Sequence, residues 1–64
     1  MKVFELILNC EPTAITVGAT DWVDATEKLS ATHDWFARLI DETDTDPVAV
    51  NVRRNTKISF REVK

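Results

Sequence analysis

Apolar and polar residues alternate from Lys2 to Cys10, with Phe4, Leu6 and Leu8 on one side and Val3, Glu5, Ile7 and Asn9 on the other. A period of two is the pattern of a half-buried β-strand. Glu11-Pro12-Thr13 reads as a turn, and Ile15, Val17 and Ala19 then alternate with Ala14, Thr16 and Gly18, which predicts a second strand and a hairpin. Gly18 is the one glycine of the chain and marks a bulge or a close approach.

The period then changes. Trp22, Ala25, Thr26, Leu29, His33, Phe36 and Ile40 fall within a stripe roughly 100° wide when successive residues are turned as in a helix. Thr20 or Asp21 supplies the cap, with Asp24 three residues after Asp21 as in a capping box, so a helix is predicted to run to about Glu42. Asp41-Glu42-Thr43-Asp44-Thr45-Asp46 reads as an acidic loop that ends at Pro47, before which helix is disfavoured. Val48, Val50 and Val52 alternate with Ala49, Asn51 and Arg53, which predicts a third strand. After Arg54-Asn55-Thr56, Ile58 and Phe60 predict a fourth.

The expected fold is therefore α+β. It is a single small domain, 1–64, in ββαββ order, with one helix packed on one face of a short, mainly antiparallel four-stranded sheet. Its expected core is Phe4, Leu6, Leu8, Ile15, Val17, Leu29, Phe36, Ile40, Val48, Val50, Val52, Ile58 and Phe60, with the other sheet face left open.

Composition narrows the classes of function. A 64-residue chain buries only about 60% of the surface its unfolded state exposes, so its stability is expected to be marginal. With 44% hydrophobic and 30% charged residues it is globular rather than disordered. Cys10 is the sole cysteine, which rules out an internal disulfide and a thiolate metal cluster and points to a reducing, cytoplasmic setting. The apolar run Phe4–Leu8 is interrupted by Glu5 and is too short for a membrane span or a signal segment. Strand patterns that begin beside Met1 and end at Lys64 read as a complete small gene product, a size class richer in binders and regulators than in enzymes. No cofactor motif is present: one glycine cannot build a phosphate loop, and no paired His-Glu motif or serine elbow occurs.

Charge is unevenly spread. Residues 1–46 carry three basic and ten acidic side chains (net −7) and residues 47–64 carry five basic and one acidic (net +4), together the −3 of the chain. Arg53, Arg54, Lys57 and Arg61 fall around the last predicted hairpin and suit a phosphate backbone, which makes a nucleic-acid-binding accessory protein one alternative. No exposed aromatic interleaves them and the chain is acidic, so a solvated hairpin is the plainer reading. Glu42, Asp44 and Asp46 are spaced like the first ligands of a calcium loop, but Pro47 stands where glycine belongs and Arg53 where a bidentate glutamate belongs. A solvated loop explains them better. A second alternative takes Asp21, Asp24, Glu27, Asp34, Asp41, Glu42, Asp44 and Asp46 as an acidic surface that mimics DNA phosphates.

Trp35 is the least expected residue. It lies about 120° from the centre of the core stripe, beside Leu39 and near Ala31, where the primary core does not need it. Tryptophan is enriched at interface centres, so Trp35, Leu39 and Ala31, rimmed by Asp34, Asp41 and Glu42, form the candidate partner-binding patch. The competing reading is that sheet twist or a terminus covers it. His33 lies within the stripe, where a lone histidine is ordinarily a packed residue, and Cys10 reads as a small buried hydrophobe rather than a nucleophile. The leading expectation is a non-enzymatic protein-interaction module. Its role would be that of a regulator or inhibitor of a host protein encoded by a phage or mobile element, with a homodimer through Trp35 as a further expectation.

Overall fold

The computed structural model describes residues 1–64. Its elements are β1 (Lys2–Leu8), β2 (Glu11–Ala19), α1 (Trp22–Thr32), α2 (Asp34–Ile40), α3 (Pro47–Asn55) and β3 (Ile58–Val63). The sheet is antiparallel and three-stranded, ordered β2-β1-β3, so β1 is the central strand. The chain is α+β as expected, but the four-stranded sheet with one helix in ββαββ order is overturned: there are three helices, and one predicted strand is absent.

That strand, Val48 to Arg53, is helix α3. Alternating valines suggest a period of two, yet Asp46 caps a helix here: its carboxylate accepts the Val48 N–H at 3.2 Å. Pro47 occupies the first turn, where its missing N–H costs nothing. Arg54-Asn55-Thr56 is consequently no hairpin turn but the helix end, where Thr56 Oγ1 donates to the Val52 carbonyl at 2.7 Å.

The long predicted helix is two helices broken at His33, whose backbone is extended (φ −125°, ψ 100°). His33 N–H closes α1 on the Leu29 carbonyl at 2.8 Å, and its own carbonyl receives the N–H groups of Phe36 and Ala37 to open α2. Hydroxyls of Thr26, Ser30 and Thr32 donate back to carbonyls four residues earlier, an arrangement that weakens a helix at its end. The start of α1 follows the sequence: Asp21 accepts the Asp24 N–H at 2.8 Å and Asp24 accepts the Thr20 N–H at 3.0 Å.

The first turn also moves. Leu8 pairs with Glu11 across Asn9-Cys10, both with positive φ (52° and 67°), as a two-residue type I′ hairpin requires. Pro12 lies inside β2, an edge strand, where its lack of a donor is tolerated. The bulge falls opposite Leu6 rather than at Gly18: Glu5 pairs with Thr16 and Ile7 with Pro12, and Ala14 between them has φ 63°. Gly18 instead lies against Met1, whose sulfur is 3.0 Å from where a Cβ would stand.

The core is small. Phe4, Leu6, Ala19, Ala25, Leu29, Phe36 and Phe60 are buried, and Leu8, Ile15, Val17, Ile40 and Ile58 pack around them. Val48 and Val52, expected inside, are 70% and 47% exposed because α3 lies at the margin and buries no residue fully. The opposite sheet face stays open. Its central row is Thr16, Glu5 and Arg61, in which the nearly buried Glu5 is ion-paired to Arg61 and accepts the bulged Ala14 N–H at 3.1 Å.

Candidate functional site

Phe36 anchors α2 in the core, with Ile40 packed against the same cluster, and this sets the orientation of the residues between and beside them. Trp35, one residue earlier and turned about 100° away, faces outward. It is 45% exposed, and its ring lies edge-on to Phe36 (5.8 Å) and His33 (6.0 Å). Leu39, one turn later, shares that side of the helix. Across from them α3 contributes Ala49 and Val52, its C-terminal cap contributes Thr56, and Leu8 at the end of β1 and Asn9 in the turn after it complete the wall. Together they line an open groove of about 500 Å³ with Arg38 and Asp44 at its rim.

The expected patch is thus brought together in part. Trp35 and Leu39 share the groove, whereas Ala31 is exposed on α1 outside it, because the break at His33 re-aims α2 relative to α1. Asp34 is exposed and paired with Arg38 at 3.2 Å, one helical turn on. Asp41 accepts the Thr43 hydroxyl at 2.5 Å and the Thr43 N–H at 2.9 Å, which hold its carboxyl below the usual range. Glu42 is exposed. Asp44 accepts the Asp46 N–H at 3.0 Å, so these loop carboxylates serve local turns and caps rather than converging on one point. No group of three His, Cys, Asp or Glu side chains converges anywhere in the chain.

The basic residues are dispersed. Arg53 lies on α3 and donates to the carbonyls of Asp41 (2.6 Å) and Asp44 (3.4 Å), tying the acidic loop to the helix. Arg61 lies on β3 and is paired with Glu5. Arg54 and Lys57 are exposed, one on α3 and one in the segment after it. The four do not surround a hairpin, because the hairpin they were assigned to does not form.

Cys10 is exposed in the β1–β2 turn rather than buried, and His33 sits at the α1–α2 junction with Nδ1 2.8 Å from Thr32 Oγ1. Sequence reasoning missed Leu8, Asn9, Arg38, Asp44, Ala49, Val52 and Thr56 as groove residues. The signal for three of them was present: Ala49, Val52 and Thr56 have helical spacing, but it is masked when the valines are read as a strand. Asn9 is a pivot: its N–H donates to the Lys57 carbonyl and its side-chain oxygen accepts the Lys57 N–H, both at 2.8 Å, joining the hairpin turn to the start of β3.

Comparisons find nothing similar. No protein-family model, no curated protein and no solved structure matches this chain. No helix is long and apolar enough to cross a membrane.

Proposed function

We propose that this chain is a non-enzymatic protein-interaction module that receives an apolar side chain of a partner protein in the groove between α2 and α3. The observation that carries the reading is Trp35, a large aromatic left 45% exposed at an apolar concavity instead of being used in the core. An aromatic anchor surrounded by smaller apolar side chains, with charges confined to the rim, is the composition of an interface centre. The rim favours one kind of partner. Asp41, Glu42, Asp44 and Asp46 follow directly on α2 and outnumber Arg38, the cation at the rim, so the segment that fits is apolar at its anchor and basic beside it. A regulator or inhibitor acting in the reducing cytoplasm fits this arrangement, with Cys10 as a free thiol.

The test is capture of a partner with the tagged chain, with and without nuclease, beside two variants. One defined protein retained after nuclease, lost with Trp35→Glu and kept with Val23→Glu, supports the groove. Val23 is more accessible than Trp35, at 68% exposure, but lies on α1 away from the groove. Binding that ignores Trp35→Glu rejects it. Loss on nuclease treatment instead transfers the activity to the basic segment, where Arg54 and Lys57 are exposed cations.

A further inference from the structure

The two edges of the sheet are built differently. On β2, Pro12 has no N–H to offer, the bulge around Ala14 bends the strand, and the outward carbonyl of Gly18 is taken by Lys28 Nζ at 3.2 Å. These are recognised means of keeping an edge from pairing. On β3 none of them is present: Ile58–Val63 runs against β1 without a bulge or a proline, and its outer side has no partner strand. Its two charges are paired within the chain, Arg61 with Glu5 and Glu62 with Lys2, both of β1.

The hydrogen-bond phase shows which groups are free. Asn9 and Lys57 form a hydrogen-bonded pair, so Ser59, Arg61 and Val63 also direct their N–H and C=O groups at β1. The N–H and C=O groups of Ile58, Phe60 and Glu62 therefore point outward.

We propose that β3 pairs antiparallel with β3 of a second copy of this chain, about a two-fold axis at Phe60, to form a continuous six-stranded sheet. Charge selects this register. A two-fold perpendicular to the sheet keeps each side chain on its own face, and of the registers centred on Ser59, Phe60 and Arg61 the first sets Lys57 opposite Arg61. The last sets Arg61 opposite itself, and like charges directly opposed destabilise a pair. Centred on Phe60, Ser59 meets Arg61, Ile58 meets Glu62 and Lys57 meets Val63, with no like charges opposed. The same register engages Ile58, Phe60 and Glu62 of both copies in about six hydrogen bonds, more than its neighbours allow. On the helix face it brings the two Phe60 rings side by side, each already edge-on to an exposed Trp22 at 6.1 Å. This surface is separate from the Trp35 groove.

Sedimentation equilibrium of the native chain from about 1 μM to about 1 mM should show a monomer passing into a dimer. The amides of Phe60 and Glu62 should become protected from exchange as the dimer forms. Ser59→Lys, which faces Arg61 of the second copy at two symmetric places, should weaken the dimer by about 2- to 30-fold, and Ser59→Asp should strengthen it by a similar factor. Glu62→Pro removes an outward donor without touching the ladder to β1 and should leave a folded monomer. Trp35→Glu should leave the dimer intact. A monomer throughout the range overturns the proposal, as does a dimer indifferent to both Ser59 variants or one lost with Trp35→Glu. Protection of Phe60 and Glu62 only on addition of another protein also overturns it and makes β3 a docking strand for that protein.

Discussion

Replacing Phe36 by alanine removes a ring that has no exposed surface and belongs to the core cluster. Such a truncation loses the transfer free energy of the ring and leaves a cavity, together about 3–5 kcal/mol. A domain of this length has about 3–10 kcal/mol in all at 0.05–0.15 per residue, so the variant should stand at the edge of unfolding. Val48→Ala is the informative partner. Val48 is 70% exposed on α3, so the burial lost is worth about 0.5 kcal/mol, and the better helix propensity of alanine offsets it by a similar amount. The net change should lie within about 0.5 kcal/mol of zero. Urea unfolding followed by far-UV circular dichroism at low temperature measures both. Were Val48 part of a buried strand, its truncation would cost about 2 kcal/mol or more. A loss above about 1.5 kcal/mol at Val48, or below about 1 kcal/mol at Phe36, refutes the placing of Phe36 in the core and of α3 at its margin.

Two further outcomes follow from local features. The Arg61 guanidinium, with the Ala14 N–H, holds the Glu5 carboxyl below its ordinary range, and Thr20 with Lys28 does the same for Asp24. A carboxyl lowered by folding stabilises the native state above its unfolded pKa, about 4.3 for Glu and 3.9 for Asp, and this is lost as pH falls through the folded value. Urea midpoints should therefore decline below about pH 5 and decline less steeply in Glu5→Gln, and an identical decline in both removes Glu5 from the account. Cys10→Gly places glycine at a position with φ 67° after Asn9, the preferred pair for this turn. It should raise stability by about 0.5–1 kcal/mol, read as several degrees in Tm; a lower Tm contradicts the turn geometry.

The first and last strand patterns along the chain and the helical stripe were legible because burial acts directly on them. Phe4, Leu6, Leu29, Phe36 and Phe60 are apolar at positions whose period already states which side faces the core, and all five are buried. Asp21 and Asp24 announce the start of α1 through hydrogen bonds spanning three or four residues, which neighbours in sequence are free to make. Trp35 and Leu39 were legible as surplus to that stripe, although the cavity beside them was not.

What the chain's order of residues left open was settled by long-range pairing. Whether Val48–Val52 forms strand or helix depends on competition: β1 already has a neighbour on each side, so a further strand could attach only at an outer edge of the sheet. The local cap at Asp46 and the reach of Arg53 to the Asp41 and Asp44 carbonyls favour the helix instead. The same holds for the groove, whose walls come from residues 8 to 56, and for Glu5, whose carboxylate is nearly buried by a partner at position 61. Periodicity reports which face of an element is apolar. It carries no information on which element will lie across from that face, because that choice is made by contacts between residues far apart in sequence.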